Sequence, residues 1–273
     1  MTAVDSTRRT FDRWRRIVAW LARLLRPPRH GAQYLPRWRR GRFIAAGGLV
    51  IIAAFAIAMY FDKNAITDMR RLPHGLIRAF GAITDFGKSS WFLWPLGVFL
   101  LLTASVAGRL SRPASLVLAS IATKAMYLYL AIALPGLFTN LVKGLVGRGR
   151  PLVGDPFVFN SFDWTYAYAS LPSGHAATAF SVAVAFGALW PRARWLWWSY
   201  AFVIMASRVV LTKHYPSDVV VGALVGGIGA WFILKYFAIR ALGFVIDSAG
   251  CIHAMPGPSW QRIKRIARCA VAK

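Results

Sequence analysis

Apolar residues gather along this chain in six long runs. A membrane helix needs about 20 mostly apolar residues, and the runs at 43–61, 91–107, 116–139, 173–190, 195–211 and 217–237 meet that need. Strong breakers separate them, such as Arg109 to Pro113 and Pro191 to Arg194. About four residues join the fourth run to the fifth, which makes these two antiparallel neighbours. The pattern predicts an all-α, polytopic membrane protein with six transmembrane helices, a helical-bundle core and short cytoplasmic termini. No internal repeat is evident. The chain divides into a basic N-terminal segment at 1–42, a membrane domain at 43–237 and a basic tail at 238–273. The connection at 140–172 is long for a compact domain, and such connections are often functional.

Composition narrows the class. Hydrophobic types make up 57% of the 273 residues and charged types 16%, against about a quarter in soluble domains. There are 34 Lys and Arg against 9 acids, a formal net charge of +25. A disordered basic protein would lack the 12 Trp and 18 Phe. Nucleic-acid binding explains the charge but not the apolar runs. A membrane protein with basic inner loops explains both, and no nucleic-acid partner is expected.

The cations also orient the spans. Six crossings put both termini on one side. That side carries 22 Lys and Arg, the opposite side carries 10, and Lys124 and Lys235 lie within spans. The richer side is cytoplasmic by the positive-inside rule. Near the N-terminus, Phe11, Trp14, Val18, Leu21 and Leu25 recur at spacings of three and four, with Arg15, Arg16, Arg23 and Arg26 facing elsewhere, until Pro27-Pro28. This reads as a basic amphipathic helix on the inner membrane surface, favoured by anionic lipid. A disordered basic tail is the plainer alternative. A cleavable signal peptide fits less well because 42 residues make a long n-region, although Ala56-Ile57-Ala58 resembles a cleavage site.

Every acid is Asp; Glu is absent. Carboxylate metal sites are therefore poorly supplied, and neither a metal nor another cofactor is expected. Cys251 and Cys269 match no zinc spacing and no disulfide framework.

Three clusters carry candidate chemistry. The first runs from Lys143 to Arg150-Pro151. The second is Pro172-Ser173-Gly174-His175. The third is Ser207-Arg208, then His214 and Asp218. Counting crossings from a cytoplasmic N-terminus brings all three to the outer face. Three cations and two histidines there suit an anionic, tetrahedral group. Ser173, Gly174 and His175 open a helix, where free backbone N–H groups bind anions. A neutral imidazole is a good nucleophile near pH 7, and its second nitrogen can donate to a carboxylate. Another, protonated His can help an alkoxide leave.

The spacings Lys-x6-Arg-Pro, Pro-Ser-Gly-His and Ser-Arg-x5-His-x3-Asp resemble those of the type 2 phosphatidic acid phosphatase superfamily. All three blocks stand in order over Lys143 to Asp218, without departure. The resemblance implies a metal-independent lipid-phosphate phosphatase working through a phosphohistidine. On it, His214 is the nucleophile, Asp218 its orienting partner and His175 the acid. Lys143, Arg150, Ser173, Gly174 and Arg208 hold the phosphoryl oxygens. The substrate head group would lie in the outer leaflet of an inner (plasma) membrane. Undecaprenyl diphosphate, phosphatidylglycerophosphate, phosphatidic acid and lipid A phosphates remain open, as does oligomeric state.

Duller readings exist. Asp218 could merely cap a helix that starts at Pro216, Ser173 could be a plain N-cap, and Lys143 and Arg208 could be interfacial snorkelers. His30, His74 and His253 lack matching neighbours and read as structural. Lys124 is assigned no role. Gly87-Lys88-Ser89 lacks the earlier Gly of a phosphate loop, since residue 82 is Ala82. Gly222-x3-Gly226 reads as close packing of the sixth span. Competing functions are phosphoryl transfer to a lipid acceptor, a vanadate-dependent haloperoxidase, which the membrane spans argue against, and an anion channel or transporter.

Overall fold

The computed structural model describes residues 37–107 and 110–259, together with Ala22, Gln261 and Lys264. The amphipathic stretch expected at 11–25, Ala22 apart, and residue Cys269 lie outside the described residues. Seven α-helices are described: α1 Arg37–Met69, α2 His74–Thr84, α3 Ser90–Val106, α4 Arg112–Val146, α5 Gly174–Leu189, α6 Arg194–Val210 and α7 Pro216–Ile239. Six of them fall on the six expected runs. The seventh, α2, is a short helix started by Pro73.

Three helical stretches are long and apolar enough to cross a membrane: His74–Val106, Arg112–Val146 and Pro216–Ile239; Gly174–Leu189 is a shorter apolar helix. Large apolar side chains stand exposed on the helices, such as Tyr60 at 80%, Trp94 at 74% and Leu101 at 73%. Apolar surface on that scale is tolerated where lipid covers it.

Two departures from the expected pattern matter. The third run was expected to end at 139, but α4 continues to Val146. At 35 residues it is about 52 Å long, well beyond a hydrocarbon core of about 30 Å. Gly147 ends it with φ +61, its N–H bonded to Lys143 O at 2.9 Å. A left-handed residue at that position is the usual helix stop. The extra turns carry Lys143. The second departure is a hairpin in the tail, where β1 (Phe244–Ile246) pairs antiparallel with β2 (Ile252–Ala254). The all-α expectation holds for the helical body and not for this piece.

Contacts divide the chain into two compact units. One comprises residues 94–129 and 234–273, besides the N-terminal stretch. Within it Tyr127 packs edge-on against Phe237 and Phe244. Lys124 donates to Met255 O at 2.8 Å, so this span lysine is occupied tying down the segment after the hairpin. His253 pairs with Asp247 at 2.7 Å on the surface, in keeping with a structural histidine.

The other unit comprises residues 32–93 and 130–233 and holds every motif residue. Its centre is α5, apolar on all sides, a pattern that belongs to a buried helix. Ala176, Ala177, Ala179, Val182, Ala183 and Ala185 are fully buried there. Small residues let backbones approach, which substitutes for a hydrophobic drive in lipid. On α7, a Cβ at Gly222 would overlap Ser173 O, and one at Gly226 would overlap Ala177 O. Ser181 Oγ then bonds Gly226 O at 3.0 Å. The Gly-x3-Gly pair is the surface on which α5 rests.

Gly226→Ala should therefore destabilise the protein, since overpacking usually costs about 1–3 kcal/mol. Gly227, beside it, has open space, and Gly227→Ala serves as the reference. Thermal unfolding in detergent should show a lower Tm for the first and a near-wild-type Tm for the second. Equal values would contradict the close approach of α5 and α7.

Candidate active site

The site is assembled at the ends of four helices in the unit just described. Lys143 sits in the last turn of α4. Ser173, Gly174 and His175 open α5, Arg208 lies in the last turn of α6, and His214 and Asp218 flank the start of α7. Backbone bonds register the second motif on the third and close the third on itself: Ser173 N–H donates to Asp218 O at 2.9 Å, and His214 N–H to Arg208 O at 3.3 Å. Lys143 Nζ lies 3.6 Å from where a Gly174 Cβ would stand, which brings the ammonium into ordinary contact distance of the start of α5. The fields of Arg208, His214 and Lys143 all reach His175, and those of Lys143 and Arg150 reach His214. All eight candidate residues thus belong to one cluster.

His214 is 1% exposed. Its Nδ1 faces Asp218 Oδ2 at 3.8 Å, too far for a hydrogen bond. Burial pushes its pKa down to about 4; the Asp218 carboxylate opposes that shift, and Lys143 and Arg150 add to it. The ring is neutral at pH 7 with a free lone pair.

Asp218 makes the capping contact weighed for it and also faces His214. Its Oδ2 accepts from Tyr215 N at 2.9 Å, the reach back from the third helical position of a capping box, with Pro216 at the first position. The same oxygen accepts from Ser170 Oγ at 2.5 Å and faces His214. Its Oδ1 accepts from Arg148 Nη1 at 2.7 Å.

Ser173 is not a plain N-cap. Its backbone stands at the cap position, but its hydroxyl makes no capping bond and is buried without a partner. Arg150 Nε, Arg208 Nε and His214 Nδ1 are buried and unpartnered as well. Buried polar atoms are nearly always satisfied, so the Ser173 hydroxyl and the two arginine Nε atoms mark a place built for a polar ligand, while His214 Nδ1 faces Asp218. Arg150 is otherwise well held: Tyr166 stacks on its guanidinium at 3.7 Å, and it donates to Ala169 O at 3.3 Å.

Several residues escaped sequence reasoning. Arg148, fully buried, lies between Asp218 and Asp62, itself fully buried on α1. Thr84, at the end of α2, accepts from Arg208 Nη1 at 2.8 Å and from Ser207 Oγ at 3.0 Å. Gly87 is not part of a phosphate loop, but a Cβ there would press on the His175 ring and on Ile204. For Asp62 a signal existed: in a chain with nine acids, an Asp at the end of an apolar run stands out.

The PAP2 superfamily profile matches residues 124–241. A lipid A 1-phosphatase of Rhizobium johnstonii is 30% identical over 239 residues, covering 86% of this chain and 91% of the relative. A lipid A 4'-phosphatase of Bacteroides thetaiotaomicron is 42% identical over 77 residues, 26% of this chain and 32% of the relative. The crystal structure of Aquifex aeolicus LpxE is similar at 26% identity with a TM-score of 0.48, covering 64% of this chain and 96% of that one. The chain belongs to the PAP2 superfamily. It is a membrane lipid-phosphate phosphatase of that type.

The depressed pKa of His214 has a testable sign. Between about 6.5 and 4 the unfolded chain binds a proton at this residue and the native chain does not, so stability should fall as pH drops through that window. NMR of labelled imidazoles, with His214→Gln for assignment, should place this ring's midpoint well below 6.5. A midpoint at or above 6.5 would contradict the buried, neutral ring.

Proposed function

We propose that this protein removes a phosphate from lipid A, the 1-phosphate in preference to the 4'-phosphate, through a phosphohistidine on His214. The observation that carries the chemistry is the neutral, buried His214, which faces Asp218 and lies within the fields of Lys143 and Arg150. The choice of lipid rests on relatives. Those that align over 86% and 84% of this chain bear the name lipid A 1-phosphatase, whereas the 4'-phosphatase aligns over 26%.

The mechanism follows from charge. The phosphoryl oxygens are neutralised by Lys143, Arg150 and Arg208 and receive the Ser173 hydroxyl and the first N–H groups of α5. Those groups act where charge develops in the transition state. His214 Nε2 attacks phosphorus as its Nδ1–H turns to Asp218. The N–P bond forms, the P–O bond to the lipid breaks, and His175 gives its proton to the departing oxygen. Water then attacks the phosphorus of the phosphohistidine and gives its proton to His175; the new P–O bond forms as the N–P bond breaks, the electron pair returns to His214 Nε2, and inorganic phosphate leaves. The guanidinium and ammonium groups supply the positive charge that a metal ion supplies elsewhere, so hydrolysis is expected to persist in excess chelator. The positive-inside bias of the sequence supports cytoplasmic termini and a site at the outer face of the inner membrane. The basic N-terminal segment would rest on anionic lipid of the cytoplasmic leaflet.

Phosphate release from purified lipid phosphates in detergent tests this reading. Lipid A should be turned over faster than undecaprenyl diphosphate, phosphatidylglycerophosphate and phosphatidic acid, with the 1-phosphate lost first. Labelled phosphate appearing in an acceptor lipid instead of water would make the protein a transferase. His214→Ala should abolish turnover of every substrate. His175→Ala should lose about 10²–10⁴-fold on lipid A, and far less on p-nitrophenyl phosphate, whose leaving group departs without a proton. Equal losses of the two variants on both esters, with folding intact, would show that the roles are not divided this way.

A further inference from the structure

The mechanism above uses one face of Asp218, and the other face leads to a group without a role. Arg148 Nη1 holds Asp218 Oδ1 at 2.7 Å, and its Nη2 holds Asp62 Oδ2 at 2.8 Å. Its Nε is taken by Pro156 O at 3.0 Å, and Tyr215 packs over its guanidinium at 4.7 Å. Asp62 also accepts from Ser217 N at 2.9 Å and from Ser217 Oγ at 2.5 Å, at the start of α7. A carboxylate at a helix N-terminus is stabilising by itself. A structural tie of α1 to α7 is therefore the plain reading of Asp62.

The charge balance goes beyond that reading. Asp62, Arg148 and Asp218 are all fully buried, and two carboxylates share one guanidinium. One negative charge is left over where charge is expensive to bury. A tie alone would close with one carboxylate. The groups facing His214 are Lys143 from α4, Arg150 from the following loop, His175 from α5 and Asp218 from α7. On the proposed mechanism the cations among them serve the phosphoryl oxygens. When His214 attacks phosphorus its ring becomes a cation, and among these groups the Asp218 side answers it.

We propose that Asp62 is a positioning residue for phosphoryl transfer: it engages the far side of Arg148, so that Asp218 keeps its full negative charge for the imidazolium that forms at His214. The proposal rests on the phosphohistidine reading. Asp62 touches no substrate atom and adds no step. Its surplus charge serves the attack step rather than binding.

The test compares wild type, Asp62→Asn and the double variant Asp62→Asn/Arg148→Gln, each purified in full length. The substrate is the lipid phosphate that wild type hydrolyses fastest. The first variant leaves the buried cluster neutral, and the second restores its net negative charge. Wild type that releases no phosphate from any lipid in the panel would overturn the functional reading, and this inference with it. Given an active wild type, Asp62→Asn should lose about tenfold or more in kcat/KM, which reports formation of the phosphoenzyme. Inhibition by inorganic phosphate, which reports binding without attack, should stay within about twofold. The double variant should regain at least about threefold over Asp62→Asn. A helix tie predicts the reverse, since the second substitution removes another anchor; a double variant equal to or worse than the single one would overturn the proposal. Asp62→Asn strands a buried guanidinium and is the variant at risk of not folding. In that event the double variant decides alone. Activity within about tenfold of wild type supports the charge role, and a folded, phosphate-binding but inactive double variant overturns it.

Discussion

A single guanidinium, that of Arg148, fixes where the functional groups of this protein stand. It is buried, every nitrogen is used, and its partners come from three places in the chain: Asp62 on α1, Pro156 in the α4–α5 connection, and Ser217 and Asp218 at the start of α7. Arg suits this work because its planar fork presents several donors at fixed angles. Leaving one member of a buried ion pair alone typically costs about 3–5 kcal/mol, so the partners hold one another in place. Around it the connection closes through backbone bonds, with Ser170 N–H on Arg148 O at 3.0 Å and Arg150 N–H on Ala167 O at 2.9 Å. The arrangement presents Asp218 to His214 on one side, while Tyr166 and Ala169 O hold Arg150 in the same cluster.

Seen from His214, the site is polarised. The Asp218 carboxylate faces the ring at Nδ1, the charges of Lys143 and Arg150 act on it as well, and burial keeps the ring neutral. That polarity matches a reaction in which negative phosphoryl oxygens approach and the attacking ring becomes positive. It is held by secondary structure more than by loops. Lys143, Arg208 and Asp218 are on helices, and the close fit of α5 on Gly222 and Gly226 sets Ser173 against Asp218. Thr84 performs for Arg208 the service that Arg148 performs for Asp218. Groups aimed by packed helices need little reorganisation when charge develops, which is where electrostatic catalysis draws its advantage.

What could be read from the sequence, and what could not, follows from range. The apolar runs located six helices because hydropathy is a local signal. The motif residues were legible because their spacings along the chain are fixed. The end of α4 was not legible, because a run of apolar residues reports the membrane's thickness and not the point where the helix stops; that point is set by Gly147 in a left-handed conformation. Arg148 sits inside the first motif, framed by Lys143 and Arg150, yet nothing in that spacing distinguishes it from filler. Asp62 lies 86 residues from the guanidinium it pairs with, a distance no periodicity spans. Ser173 was readable as a cap by position; only its buried, unpartnered hydroxyl shows that the cap reading falls short. The hairpin at 244–254 was not legible because its two strands are three residues each, too short to show an alternating pattern.

The central claim is that His214, and no other residue, becomes covalently bound to phosphorus. Rapid quenching of the purified protein during turnover into alkali, followed by digestion and mass spectrometry, addresses it directly. A peptide containing His214 should carry one phosphoryl group, stable in alkali and lost in acid, present only while substrate lasts. Phosphate on a different residue, or turnover with no phosphorylated peptide on the time scale of one catalytic cycle, would contradict the account.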